Sequence, residues 1–178
     1  VAYAGELSAD TTKAKSVDIV TSAAAEAAEE AAAEEDAIVT GTIEKADDNT
    51  LTLTTDEGTY TFNTKIAQKV SKDGVKSGVQ ADVTYYGDLE DDTDKPVATK
   101  IVTEDAMDSE DAKINTLSGK VAEVGADYVV IDTVDPENTL FTFLGKEGMF
   151  DKLKIGDTAT IIYKGTLTDK TITATGVK

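Results

Sequence analysis

The sequence predicts an all-β protein made of two tandem five-stranded barrels that follow a helical spacer. Residues 38–101 and 116–177 repeat one order of glycines and apolar residues, which predicts two copies of one fold. Within each copy apolar residues alternate with threonine at a period of two, the pattern of strands with one buried face. The alanine- and glutamate-rich run over residues 22–36 lacks glycine and proline, and predicts the helix.

The spacer prediction covers residues 1–37. Its carboxylates repel one another and its apolar stripe is nearly missing, so we expect a semi-rigid helix that frays when it is not docked. The alternative, an interaction helix or short coiled coil, lacks the apolar heptad positions it would need. At the start of the chain, Ala2-Tyr3-Ala4 has the small-x-small form of a signal-peptidase site. We therefore expect a secreted or cell-surface protein, with an ordinary chain terminus as the alternative.

The first barrel is predicted over residues 38–103. Alternation indicates three strands joined by turns at Asp47-Asp48-Asn49 and Asp56-Glu57-Gly58. Apolar residues then lie four apart at Ile66 and Val70, which predicts a short helix that ends near Gly74. Alternation resumes in two further strands. The five strands are expected around residues 39–43, 51–54, 59–62, 81–85 and 97–102.

The second barrel is predicted over residues 116–178, after an acidic linker at 104–115 that we expect to be solvated. It repeats the order β-β-β-α-β-β, with its short helix around Met149-Phe150. This order is the plan of an OB-like barrel. Gly41 and Gly119 fall inside the first strand of each copy, where a glycine is typical of a bend that lets one strand serve two sides of a small barrel.

The repeated residues also carry a resemblance to a known group of proteins. The motif Lys-x-Gly-x-x-Ala-x-Val/Ile-x-Tyr-x-Gly-x-Leu occurs at residues 76–89 and 154–167. With the Gly-x-Ile/Val of each first strand, it resembles OB-like barrel repeats of secreted proteins from Gram-positive gut bacteria. Those repeats often follow a low-complexity Ala/Glu/Ser spacer. The resemblance implies this fold and an extracellular location, and it supplies no catalytic or binding residue.

Composition excludes several classes of function. The net charge of −18 at pH 7 would repel nucleic acid and anionic membrane surfaces. The chain has no histidine and no cysteine, which removes imidazole and thiolate catalysis, zinc sites built from those groups, and disulfides. No apolar run approaches the roughly 20 residues of a membrane-spanning helix. We expect a non-enzymatic protein without a cofactor.

One candidate ligand surface lies on the outer face of the second and third strands of the first copy. OB barrels often bind ligands across these two strands. Tyr86 alternates outward, where the second copy has Lys164, so we expect an exposed aromatic there, whereas Tyr85 and Tyr163 should lie in the cores. The alternative is an ordinary soluble β exterior. The candidate residues are Thr52, Thr54, Thr59, Thr61 and Tyr86.

A candidate calcium site is the acidic loop after the fourth strand of the first copy, because hard cations prefer several carboxylate oxygens. The loop lacks the sixth-position glycine of an EF-hand, and Thr99 stands at the position of the twelfth-residue glutamate. A solvated turn is the alternative, since the second copy shortens this loop. The candidate ligands are Asp88, Glu90, Asp92 and Asp94.

Together these patterns predict an extracellular or cell-surface binding or structural module, with a cell-wall glycan or a surface protein as its partner. A calcium-assisted carbohydrate or peptidoglycan binder is the alternative function. A carboxylate-dependent hydrolase is a more distant one, because 35 acidic residues place some pairs at the spacing of a glycosidase by chance alone.

Overall fold

The computed structural model describes residues 2–4, 13–16, 37–90, 95–133, 139–169 and 171–178. These residues confirm the all-β prediction: within them, helical backbone is limited to two 3-10 turns, Glu104–Ala106 and Asp111–Lys113. Strands β1 (Ala2–Ala4) and β2 (Lys13–Ser16) pair antiparallel, so the described part of the predicted spacer is extended and not helical. The Ala/Glu run over residues 22–36 lies outside the described residues.

The first barrel is built from five strands and carries a sixth on its side. Strands β3, β4 and β5 form an antiparallel meander, β7 pairs with β3, and β8 pairs with β7. One parallel pair, Asn63 with Val97, joins β5 to β8 and closes the ring. The strands are β3 (Ala37–Ala46), β4 (Thr50–Thr54), β5 (Thr59–Asn63), β6 (Gln68–Val70), β7 (Gln80–Tyr86) and β8 (Val97–Thr103).

The second barrel is closed by the same pairings. Its strands follow the ring order β9-β10-β11-β13-β12, and β11 pairs parallel with β13. In both copies the ring order, in each copy's own numbering of its five barrel strands, is therefore 1-2-3-5-4, which confirms the OB-like plan. The strands are β9 (Asn115–Val124), β10 (Tyr128–Asp132), β11 (Leu140–Leu144), β12 (Thr158–Lys164) and β13 (Ile172–Val177).

The short helix predicted between the third and fourth strands is absent from both copies. In the first copy, residues 68–70 form β6, because their backbone pairs parallel with Lys100–Val102 on β8. Ile66 and Val70 are both buried, so the spacing by four predicted the core positions correctly. The helical backbone that it also predicted is wrong. In the second copy, residues 147–152 form turns, and the N–H of Met149 donates to Lys146 O at 2.9 Å.

Gly41 and Gly119 lie where the first strand of each barrel changes partners. In β3, residues 37–42 pair with β7, and from residue 42 onward the strand pairs with β4. A Cβ on Gly41 would lie 2.5 Å from Thr54 O, and one on Gly119 would lie 2.4 Å from Asp132 O. The bend therefore brings two backbones too close for any side chain, as the glycine pattern predicted.

The barrels are joined through an apolar contact and a hydrogen-bonded linker. Ile66 and Tyr86 of the first barrel belong to the apolar cluster of the second, and Val97 packs against that cluster. Lys100 Nζ donates to Ile114 O at 2.9 Å, and burial lowers the pKa of this lysine. Ala106 is buried within the linker. The acidic linker is therefore anchored to the barrels, although most of its charged side chains are exposed as expected.

Candidate functional site

Four predicted site residues lie together on the outer face of β4 and β5. We call Thr52, Thr54, Thr59 and Thr61 the threonine surface. Thr52 lies opposite Thr61 and Thr54 opposite Thr59 in the antiparallel register. Thr54 and Thr59 are exposed and the other two are half-buried. The alternation that predicted an outward hydroxyl face is therefore present in the sheet.

Cross-strand hydrogen bonds order this surface. The Oγ1 atoms of Thr52 and Thr61 are 3.1 Å apart, and those of Thr54 and Thr59 are 3.3 Å apart. Thr54 Oγ1 also lies 3.4 Å from Glu44 Oε2 on β3. A hydroxyl offers one donor and two acceptor lone pairs, so each retains capacity for an external partner. The surface is polar, and β-branching restricts the χ1 rotamers of its threonines.

The second barrel has a different outer face at the same strand positions. Its register places Val130 opposite Thr142 and Asp132 opposite Leu140. Only Thr142 keeps a hydroxyl, at the position of Thr61. The threonine surface is thus particular to the first barrel.

Tyr86 does not join the threonine surface. It is 8% exposed and packs in the apolar cluster of the second barrel, so the expectation of an exposed aromatic is wrong. The alternation along β7 correctly predicted that the Tyr86 side chain points out of its own barrel. The outer side of that strand faces the neighbouring barrel instead of solvent, which strand periodicity does not show. Tyr85 and Tyr163 are both buried, as predicted.

The acidic loop shows no assembled metal site in its described part. Asp92 and Asp94 lie outside the described residues. Asp88 Oδ1 accepts a hydrogen bond from the N–H of Glu90 at 2.8 Å, which is turn chemistry. Across the described ranges, no group of three acidic side chains could hold a metal ion.

The Asp47-Asp48-Asn49 turn is closed by its first carboxylate. Asp47 Oδ1 accepts from the N–H of Thr50 at 2.7 Å, and Oδ2 accepts from the Thr50 hydroxyl at 2.8 Å. With a further bond from the N–H of Asn49, these contacts lower the pKa of Asp47, the Thr50 hydroxyl most of all. The prediction of a turn here is confirmed.

A cleft that the sequence analysis missed opens beside this turn. We call it the end cleft; its volume is about 370 Å³. Thr64 is only 2% exposed, and neither Thr64 Oγ1 nor Ser71 Oγ has a hydrogen-bond partner among the described residues. No local sequence pattern brings Thr64 and Ser71 together, so the sequence offered no signal for this cleft. The residues that line the cleft include Asp47, Leu51, Thr64, Lys69, Ser71 and Ile101.

Comparisons with known proteins add little to this geometry. No family model matches the chain, and no curated protein matches it. A solved structure described as "drosophila Unr CSD456" is similar over 82% of this chain, at 12% identity and a TM-score of 0.28. The chain spans 62% of the length of that structure. A likeness this distant supports no conclusion about function. No helix in the described ranges is long and apolar enough to cross a membrane.

Proposed function

We propose that the chain is a non-enzymatic extracellular or cell-surface module that binds a neutral glycan through the threonine surface. The ordered row of four outward hydroxyls carries this proposal. It covers the second and third strands of the first OB-like barrel, the side on which such barrels commonly receive oligonucleotides and oligosaccharides. Hydroxyls that both donate and accept match the hydroxyls of a sugar.

Charge favours a neutral ligand over an anionic one. The chain carries −18 net charge and no arginine, so a phosphate backbone would be repelled and would find no bidentate partner. Glu44 borders the threonine surface and adds to this repulsion. A neutral glycan would not be repelled by these negative charges.

The extracellular location rests on two features of the sequence. One is the small-x-small form of Ala2-Tyr3-Ala4, and the other is the resemblance to secreted barrel repeats. They support a cell-wall glycan as ligand, with a surface protein as the other partner class. The absence of histidine and cysteine supports a binding role over catalysis.

A glycan array with the full chain tests the proposal, with two matched variants as probes. Thr61→Lys places a long cation on the threonine surface, whereas Thr142→Lys makes the same change at the equivalent position of the second barrel. We expect wild type and Thr142→Lys to bind the same glycans, and Thr61→Lys to lose about tenfold or more in affinity. A silent wild-type array, or equal losses in both variants, would overturn the proposal.

Repeating the array with calcium and with a chelator tests the calcium-assisted alternative. Binding that needs calcium and is lost in Asp88→Asn/Glu90→Gln would favour that alternative. Equal binding under both conditions would favour the threonine surface acting alone.

A further inference from the structure

The two barrels differ along one edge of their last strands. In the first barrel, β6 pairs parallel with Lys100–Val102 on β8. In the second barrel, β11 pairs with only Ile172 and Thr173 of β13, while β12 pairs with the opposite edge. Within the described ranges, no strand pairs with β13 beyond Thr173 on the β11 side. We call that edge of residues 174–177 the open edge.

The strand pairings show that the open edge is the counterpart of the edge that β6 covers. Ile101 pairs with the residue two positions before the buried Tyr85, and Val177 with the residue two before the buried Tyr163. Both ladders carry a bulge beside that tyrosine. Lys69 of β6 pairs with Ile101, which is 0% exposed, whereas Val177 is only half-buried. The bulge therefore does not prevent a further strand from pairing at this place.

The connection that follows β11 turns away from the open edge. The N–H of Gly145 donates to Asp127 O at 2.8 Å. The N–H of Gly148 donates to Ala126 O at 3.0 Å, and both acceptors lie in the turn between β9 and β10. The connection from β11 to β12 is also three residues shorter than the one from β5 to β7, and β6 is three residues long. This segment therefore does not run along β13 as β6 runs along β8.

Val177 directs its backbone groups to the open edge. The N–H of Lys178 donates to Thr160 O at 2.9 Å, and the N–H of Thr160 donates to Lys178 O at 3.4 Å. In an antiparallel ladder, hydrogen-bonded and non-hydrogen-bonded pairs alternate along the strand. The N–H and C=O of Val177 therefore point away from β12. Unpaired groups at a sheet edge are a template for another strand.

An exposed apolar side chain lies at the start of the open edge. Leu144 on β11 pairs with Thr173 and is 42% exposed. At the equivalent place in the first barrel, the polar Asn63 pairs with Val97. When a peptide adds a strand to a sheet edge, main-chain hydrogen bonds give affinity and side-chain contacts give specificity. The second barrel offers both at this edge.

Charge and symmetry limit what can occupy the open edge. The net charge of −18 repels acidic segments and disfavours the approach of a second copy of the chain. Two copies of β13 related by a two-fold axis would pair antiparallel, whereas β6 pairs parallel with β8. The sequence of β6 is Gln-Lys-Val, in which Lys69 is exposed and Val70 is buried. These observations favour a neutral or basic segment with an apolar anchor.

We propose that the open edge binds an extended, neutral or basic peptide segment of a partner protein as a parallel strand. The N–H and C=O of Val177 pair with the backbone of that segment, and Leu144 contacts one of its apolar side chains. The threonine surface lies on β4 and β5 of the other barrel. The inference therefore goes beyond the glycan proposal and does not rest on it.

Protein-observed NMR on the full chain tests the open edge with a synthetic peptide of residues 64–72, which is basic and contains β6. We expect this peptide to shift the amide signals of residues 175–177 in a saturable way and to slow hydrogen exchange at the Val177 amide. A peptide methylated on the backbone nitrogen of Val70 keeps every side chain but loses the donor to Val177 O. It should bind about threefold to tenfold more weakly.

Two exposed apolar residues of the second barrel give matched variants. Leu144→Lys replaces the apolar contact with a cation and should weaken peptide binding about tenfold or more. Ile155→Lys makes the same change at a residue that is 70% exposed and lies before β12, so it should leave binding unchanged. Thr61→Lys should also leave it unchanged, which separates failure here from failure of the glycan surface.

Four results would overturn the proposal. The first is no saturable shift with the peptide, and the second is equal binding of the methylated and unmethylated peptides. The third is an equal effect of Leu144→Lys and Ile155→Lys. The fourth is a shift of the same amides when the protein concentration alone is raised, which would assign the open edge to a second copy of the chain.

Discussion

The side-chain oxygen of Gln68 accepts a hydrogen bond from the backbone N–H of Thr116 at 2.9 Å, and so joins β6 of the first barrel to β9 of the second. The amide nitrogen of the same side chain donates to Asp111 O at 3.1 Å. One glutamine of the first barrel therefore bonds both the linker and the second barrel. We call these two hydrogen bonds the bridge. The first prediction concerns this bridge.

Gln68→Ala should lower the free energy of unfolding by about 1–3 kcal/mol, because it leaves two backbone groups without their partner. Urea denaturation followed by circular dichroism measures the change. Gln80→Ala, at an exposed position on β7, is the matched control and should be nearly neutral. Equal effects of the two variants would show that the bridge contributes nothing.

Lowering the pH should weaken the hydrogen bonds that the Asp105 carboxylate accepts, and so lower the free energy of unfolding. This carboxylate accepts hydrogen bonds from the Thr103 hydroxyl and from the N–H of Asp73, the latter at 2.9 Å. These bonds, the one from Thr103 first, lower the pKa of Asp105 in the folded state. A lowered folded-state pKa stabilises the protein above the pKa of the unfolded chain, and that stability is lost as pH falls through the folded value.

Wild type should therefore exceed Asp105→Asn in stability at neutral pH, and the difference should narrow as the pH falls below about 4. Urea titrations at a series of pH values measure this. Asp108→Asn, an exposed change in the same linker, serves as control. A difference that does not depend on pH would contradict the assignment.

Gly119→Ala should destabilise the second barrel by about 3 kcal/mol. The new Cβ would lie 2.4 Å from Asp132 O and 2.6 Å from a methyl carbon of Ile131, and a backbone oxygen cannot swing aside. Thermal unfolding measures the loss. At Gly58 the nearest atom to an added Cβ is 3.4 Å away, so Gly58→Ala should stay within about 0.5 kcal/mol of wild type. Similar losses at both sites would refute the close-approach explanation.

Phe150→Ala should lower the free energy of unfolding by about 3–5 kcal/mol, because Phe150 is fully buried in the apolar cluster of the second barrel and its removal leaves a cavity. Phe150→Leu should cost less, since it keeps most of the apolar volume. Ile155→Ala in the same segment removes an exposed side chain and should change little. Denaturant titration separates these outcomes, and a neutral Phe150→Ala would show that the buried ring does not stabilise the barrel.

The sequence by itself determined the five strands of each barrel, the repeat and the glycine bends. These features depend on local rules: period-two alternation sets which face of a strand is buried, and a glycine within a strand marks a close backbone approach. For the same reason it predicted the outward direction of Thr52, Thr54, Thr59 and Thr61, and the core positions of Tyr85 and Tyr163.

Only the tertiary structure decided whether the outer face of a strand contacts solvent or the neighbouring barrel. Tyr86 points out of its barrel as its alternation requires, yet the second barrel covers it. Residues 68–70 became a strand because the edge of β8 offered their backbone hydrogen bonds, which outweighed a weak helical pattern. The end cleft was not predicted either, because residues from several separate elements line it and no local pattern brings them together. Local periodicity fixes which way a side chain points, whereas its burial depends on contacts between residues far apart in the chain.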